Sequence, residues 1–453
     1  MAQKYKLFNK NIYVDGKTGL FSFSENDLKV LLIKQNFDFD LFRPSFIEYN
    51  TTSVTFCINL SDACNLNCDY CFNPVKQNKN ISLEDALVFL KTCFMTFPNK
   101  EKYFVDLSGK GEPLLFLDKI IKIKRFCEEK SNELKREVLV QLVSNGTLLD
   151  SLTAEILQKN GILFGVSLDG NEFIHDKHRK TKDGKSTYQT ILKNVTNIPH
   201  HEYVGVACTL TNDVFSLKDS LIELSKIFNT VSYKPSRDCD FAINEQSIDK
   251  WLESYDELTL FLKEETIRGN LKYIKIILNG EDYLGKFIKR IVLNQRNIIR
   301  CDAGLSRFTL DDDGNVYACP AAYRIKELRV GSKNLLDLNR SSKLFKKQIG
   351  KKGCESCAFR NICGGECQIE RILSHGINKT MCKYKSYLIL LAMYFTEEVA
   401  RCNALSFKEI YNFCIEVDSR RRLDKKLNSF LKEHPEYSFI DGKRIYDERN
   451  KKY

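Results

Sequence analysis

No stretch of this 453-residue sequence approaches the roughly 18 consecutive apolar residues of a membrane-spanning helix. The first ten residues, MAQKYKLFNK, lack the apolar segment of a secretory signal, so the chain is expected in the cytoplasm. There is no internal repeat and no low-complexity tract, which sets aside solenoids and disordered arrays. No long block of one charge sign occurs outside Arg420–Lys426 and the last few residues. The formal charge of +11, from 70 basic and 59 acidic side chains, is therefore read as a solvated basic surface rather than a nucleic-acid footprint.

What is present is an ordinary globular composition, 43% hydrophobic and 28% charged, with a length sufficient for two or three domains. The 17 cysteines are the exception. In a reducing compartment that number points to metal ligation or redox chemistry rather than disulfides.

Residues 1–50 read as a hairpin, from Ile12–Val14 through the Asp15-Gly16 turn to Leu20–Phe23, and then a helix capped by Ser24 through Leu28, Leu31 and Leu32. From residue 51 to 245 strands and helices alternate. Strands are expected at Val54–Leu60, Tyr103–Leu107, Val138–Val143, Ile162–Leu168, Tyr203–Thr209 and Val231–Tyr233. The helices between them start at signals such as the Ser82/Asp85 capping pair and Asp150. Six βα units imply an α/β fold, a partial (β/α)6 TIM-like barrel, with chemistry at the carboxyl ends of its strands. Residues 246–300 form a helical connector, 301–385 a cysteine-dense domain, and 386–453 a polar, charged helical extension.

Just past the first barrel strand, Cys64, Cys68 and Cys71 stand in CxxxCxxC spacing. Three thiolates can grip one [4Fe–4S] cube and leave one iron open. The competing reading is a zinc knuckle, which needs a fourth Cys or His close by; Cys57 is the only candidate.

The surrounding residues decide between them. Residues 51–235 resemble the radical SAM superfamily. The resemblance implies that the open iron chelates the amino and carboxylate groups of S-adenosyl-L-methionine, which is cleaved to a 5′-deoxyadenosyl radical. Tyr70 corresponds to the aromatic residue before the third cysteine, whose backbone approaches the adenine. Ser108-Gly109-Lys110-Gly111-Glu112-Pro113 resembles the GGEP segment, so Gly111 is expected to let the backbone approach the methionine amino group and Glu112 to accept from it. Lys110 departs from the double glycine. Ser144-Asn145-Gly146-Thr147 is similar to the TNGT segment. Asn145, Ser167, Asp169 and Arg179 are further expected cofactor contacts, beside His175-Asp176. For the Asn-Gly and Asp-Gly pairs, plain turn chemistry is the bland alternative.

A second constellation opens at Cys301, passes Gly314 to Cys319, continues as Cys354-x₂-Cys357-x₅-Cys363-x₃-Cys367, and ends at Cys382. Two zinc sites would satisfy the same thiolates. The spacing resembles the SPASM domain of radical SAM enzymes that modify peptides and proteins. That resemblance implies two auxiliary iron–sulfur clusters, making three [4Fe–4S] clusters in all. Cys354, Cys357, Cys363 and Cys382 would hold one. Cys301, Cys319 and Cys367 would hold the other, its fourth corner either open to a substrate thiolate or closed by another residue such as Cys239.

The expected activity is oxidative crosslinking of side chains in a ribosomally made peptide, a thioether before a carbon–carbon bond. The peptide's leader would dock on residues 1–50, and a flavodoxin or ferredoxin would supply electrons. The resemblance extends more distantly to anaerobic sulfatase maturases, which form formylglycine. In those an acidic residue tends to follow the second SPASM cysteine, whereas here Pro320 does. A non-catalytic electron-transfer or nucleic-acid-binding protein is the alternative of a different class. No catalytic base is legible.

Overall fold

The computed structural model describes residues 2–16, 18–29, 45–46, 53–74, 76–199, 201, 204–237, 239–280, 282–296, 301–323, 325–349, 353–354, 356–373 and 375–417. At the amino terminus β1 (Ala2–Leu7), β2 (Lys10–Asp15) and β3 (Phe21–Ser22) form an antiparallel sheet in that order, one strand more than the sequence implied. The Asp15 carboxylate fixes the turn by accepting from the backbone and hydroxyl of Thr18 at 2.8 and 2.7 Å. Ser24 Oγ accepts from Asp27 N at 3.4 Å, opening the short helix that contains Leu28. Leu31 and Leu32 lie outside the described residues. The two-residue β4 (Ser45–Phe46) follows.

Six parallel strands then run in chain order: β5 (Ser53–Ile58), β6 (Lys102–Asp106), β7 (Glu137–Ser144), β8 (Ile162–Ser167), β9 (Gly205–Leu210) and β10 (Val231–Pro235). Between them lie α1 (Leu83–Thr96), α2 (Leu117–Leu134), α3 (Ser151–Lys159), α4 (Glu172–His178), α5 (Tyr188–Thr196) and α6 (Leu217–Leu224). The helices begin where short polar side chains satisfy otherwise unpaired backbone N–H groups: Ser82, Asp150 and Ser216 accept from Asp85, Thr153 and Asp219 N. The two-residue period of β5 turns Val54, Phe56 and Ile58 one way and Cys57 the other. Phe56 packs on Phe94 and Tyr103, with ring centroids 5.4 and 6.1 Å away.

The connector is helical: α7 (Ile248–Ile267), α8 (Lys272–Asn279) and α9 (Tyr283–Val292). It is followed by β11 (Gln295–Arg296), which pairs with β4.

The cysteine-rich part does not stand off as a separate lobe. Its β12 (Arg307–Leu310) pairs in parallel with β5, and β13 (Asn315–Tyr317), β14 (Arg329–Ser332) and β15 (Leu335–Leu336) extend the same sheet to ten strands. Helices α10 (Leu338–Ile349), α11 (Arg360–Cys363), α12 (Gln368–Leu373), α13 (Lys379–Cys402) and α14 (Ala404–Val417) complete the described chain.

Here the sequence reading fails. A boundary at 385/386 would cut α13, and residues 386–402 are no charged extension. Leu388, Ile389, Leu391, Ala392 and Met393 are fully buried, and α13 packs along α7 and α9. The charged residues that disguised it, Glu397 and Glu398, are themselves buried. Among the described residues no helix is long and apolar enough to cross a membrane.

Candidate active site

The loop after β5 carries Cys64, Cys68 and Cys71 and is laced to the loops after neighbouring strands. Ser61 Oγ donates to Lys79 O at 2.6 Å and accepts from Ala63 N at 2.9 Å. Asn65 Nδ2 donates to Thr147 Oγ1 at 2.7 Å, and Asn145 Nδ2 donates to Asn65 Oδ1 at 2.8 Å. Asn67 N and Asp69 N donate to Lys180 O and His178 O. The three thiols are partly exposed and lie within electrostatic reach of one another. Burial pushes the Cys64 thiol up and the Cys68 thiol to about 11. A cluster assembling there must therefore displace protons from thiols.

Gly111 has φ +72°, and a Cβ on it would stand 2.3 Å from Ala63 O. Only glycine lets this turn close on the cysteine loop, where Glu112 N donates to Ala63 O at 2.8 Å. The Glu112 carboxylate, 2% exposed, is already engaged. Its Oε1 accepts from Leu114 N at 3.0 Å and Ser144 Oγ at 2.8 Å, and its Oε2 from Asn145 N at 2.7 Å. It thus braces three loops, and any ligand amine would share its remaining lone pairs. Burial raises its pKa, and the backbone donors work against that.

Asn145 Oδ1 accepts from Thr147 N and Oγ1, so its side chain is largely occupied in its own turn. Ser167, half-buried, ends β8. Tyr70, Asp169 and Arg179 form one buried group. The Tyr70 hydroxyl donates to Asp169 Oδ2 and accepts from Arg179 Nη1 at 2.7 Å, and Asp169 Oδ1 accepts from Thr209 N at 2.7 Å. Arg179 Nε is buried without a hydrogen-bond partner among the described residues. The group therefore retains one buried N–H donor, beside the cysteine loop, that a ligand oxygen could accept from.

His175 and Asp176 turn out to be scaffolding. Asp176 Oδ1 accepts from Thr187 N and Tyr188 N. His175 Nδ1 accepts from Asp169 N at 3.2 Å, which leaves the ring proton on Nε2, 2.9 Å from Thr187 Oγ1. Burial lowers its pKa from 6.5 to about 2.

A base held neutral in the fold stabilises it fully above pH 6.5. That stability is lost as pH falls below 6.5, where only the unfolded chain binds the proton. By about pH 5 the loss is about 2 kcal/mol. Urea midpoints at about pH 7.5 and pH 5 should therefore differ more in the parent chain than in His175→Gln.

Three features were not legible. His178 is fully buried and bridges Asp69, at 2.9 Å from Nδ1, and Asp213, at 2.8 Å from Nε2. Lys110, 4% exposed at its side chain, pairs with Asp311 at 2.8 Å and Asp312 at 2.7 Å. Its ammonium also sits 4.4 Å from the centre of the Tyr323 ring, whose hydroxyl donates to Asn73 Oδ1 at 2.8 Å.

The carboxy-terminal thiols fall into two neighbourhoods. Cys319 has Cys367 and Cys301 as electrostatic neighbours, and burial pushes its thiol up to about 11. Cys363 and Cys354 are neighbours of both Cys357 and Cys382. Arg237 joins the first group, with Nη1 3.7 Å from Cys367 Sγ and Nε 3.0 Å from Glu370 Oε1. Cys239 does not: its electrostatic neighbours are Ser236, Phe241, Asp69 and Asp240. Cys57 sits 3.7 Å from Arg307, and Cys319 is a neighbour of its thiol. Among the described residues no three His, Cys, Asp or Glu side chains close on a single-ion site.

Comparison with known proteins finds likenesses to part of this chain. Residues 58–211 match the radical SAM superfamily. The cysteine-type anaerobic sulfatase-maturating enzyme of Clostridium perfringens is 23% identical over 337 residues, 68% of this chain and 86% of that protein. The serine-type enzyme of Klebsiella aerogenes is 23% identical over 330 residues, 68% of this chain and 78% of that one. Among solved structures, native anSMEcpe with bound AdoMet superposes with a TM-score of 0.60 at 19% identity, covering 79% of this chain and 99% of that one. Streptococcus suis SuiB bound to S-adenosylmethionine superposes at 0.51 and 16% identity, covering 78% and 81%.

Proposed function

We propose that this chain, which carries a radical SAM domain and is a radical SAM enzyme, oxidatively crosslinks side chains of a ribosomally made peptide. With a [4Fe–4S] cluster and S-adenosylmethionine bound, such a site supplies a 5′-deoxyadenosyl radical that removes a substrate hydrogen, and further clusters take up the electron left over.

The rest belongs to this chain's residues. Cys64, Cys68 and Cys71 are the proposed ligands of the catalytic cluster. Glu112 and Gly111 hold the loop at the methionine end, and Arg179, oriented by Tyr70 and Asp169, offers its spare Nε–H. Asn145 and Ser167 border the same strand ends. Cys301, Cys319 and Cys367 are proposed to hold one auxiliary cluster, with Arg237 beside it, and Cys354, Cys357, Cys363 and Cys382 the other. Electrons would come from a flavodoxin or ferredoxin.

The observation that carries the peptide reading is the amino-terminal sheet. β1 pairs with β2 on one side, and among the described residues no strand covers its other edge. Such an edge can take a peptide by strand addition. SuiB, a structural neighbour at TM-score 0.50, has been solved bound to its precursor peptide SuiA.

Formylglycine formation is the second reading, favoured by the sulfatase-maturating relatives. Against it stands Pro320 directly after Cys319, where a carboxylate would serve as base. One experiment separates the two. The anaerobically reconstituted protein is given S-adenosylmethionine, dithionite and either a cysteine-containing peptide encoded beside it or a sulfatase segment. Loss of two hydrogens from the first peptide, without reaction toward hydrazide, is the expected outcome. A hydrazide-reactive aldehyde on the sulfatase segment, with the first peptide unchanged, would reverse the choice.

A further inference from the structure

Lys385 is among the largest fully buried side chains, 1% exposed, and its Nζ has no hydrogen-bond partner among the described residues. A lone ammonium in that position is costly unless an anion faces it. Lys385 lies one helical turn after Cys382 on α13, so the two side chains share a face, and the cation acts on the Cys382 thiol. The other members of that neighbourhood arrive on packed elements. Cys363 closes α11, which packs on α13, and Glu366 ties the two by accepting from Asn378 N at 2.8 Å with Cys382 Sγ 3.7 Å away.

We propose that Lys385 is a built-in counter-ion for a thiolate cluster held by Cys354, Cys357, Cys363 and Cys382. This rests on the assignment of those cysteines made above. The residues suit such a group: Cys354 and Cys363 are electrostatic neighbours of both Cys357 and Cys382, and the buried Lys385 lies one turn from Cys382. A fixed positive charge there favours the reduced cluster, which carries one more negative charge, and slows its loss. Arg237 stands in the same relation to Cys367, but Glu370 already balances it. Among the described residues Lys385 Nζ has no hydrogen-bond partner, whereas Arg237 has Glu370.

The test uses full-length chain, reconstituted anaerobically, with Cys64, Cys68 and Cys71 all replaced by alanine so that only carboxy-terminal iron remains. Onto this background are placed Lys385→Met, Lys385→Arg and the pair Cys354→Ala/Cys357→Ala. Iron content, iron release to a chelator and midpoint potentials followed by EPR are compared. Lys385→Met should move one midpoint to more negative potential and speed iron release, and Lys385→Arg should restore both. The metal-free Lys385→Met chain should melt at a higher temperature than the metal-free parent, because it no longer buries a lone charge.

Cys354→Ala/Cys357→Ala should lose part of the iron. If it does, while Lys385→Met leaves every midpoint and release rate unchanged, the counter-ion role is overturned and the cysteine assignment survives. If Cys354→Ala/Cys357→Ala keeps all its iron, the assignment fails and the counter-ion role fails with it.

Discussion

Replacing Cys71 with alanine should abolish formation of 5′-deoxyadenosine and methionine from S-adenosylmethionine, down to the level of a protein-free control with dithionite. Three thiolates are the fewest that leave one corner of the cube free while holding the others, so removing one removes the site rather than weakening it. The loop is otherwise pinned by its own backbone and by Asn65, Ser61 and Asn145, so the variant should keep its fold. Cys402→Ala is the control: that cysteine is exposed on the outer end of α13 and should change nothing. Product formation is read by chromatography of the quenched reaction.

Lys110→Met should cost about 3–5 kcal/mol of stability, the range for breaking a buried ion pair by removing one partner. Two carboxylates face that ammonium, Asp311 4% and Asp312 9% exposed at their side chains, and both would be left buried without a counter-charge. Asn59 Nδ2 donates to Asp311 Oδ1 at 2.8 Å but cannot replace a cation. Adding Asp311→Asn and Asp312→Asn to Lys110→Met should recover most of the loss, because the orphaned charges go with them. Urea midpoints for the parent, the lysine variant, the double asparagine variant and all three changes together form the cycle that measures the coupling. Equal losses with and without the asparagines would show that Lys110 acts through packing alone.

Lys110 also marks the limit of what the sequence discloses. Periodicity and caps were sufficient for the barrel: Ser82 and Asp150 start their helices, and six strands alternate with helices where the apolar runs fall. Motif spacing suggested two groups of carboxy-terminal cysteines, and members of each group are electrostatic neighbours in the structure. Lys110 read as a departure from a glycine, because its reason lies two hundred residues away at Asp311 and Asp312. The same distance hid the pairing of β12 with β5, since a four-residue strand in a cysteine-dense segment carries no period of its own. The burial of helix α13 was missed for a different reason. Its buried Lys385, Glu397 and Glu398 look like a solvated face until tertiary partners bury them. That Glu112 and Asn145 also brace neighbouring loops was not legible either.

EPR of the dithionite-reduced, anaerobically reconstituted protein, recorded with and without S-adenosylmethionine, reaches the catalytic loop most directly. A [4Fe–4S] signal that moves when the nucleotide is added, and that disappears in Cys64→Ala, is the predicted result. Zinc in place of iron at that loop, or a cluster signal indifferent to S-adenosylmethionine, would contradict a cube with one corner left open.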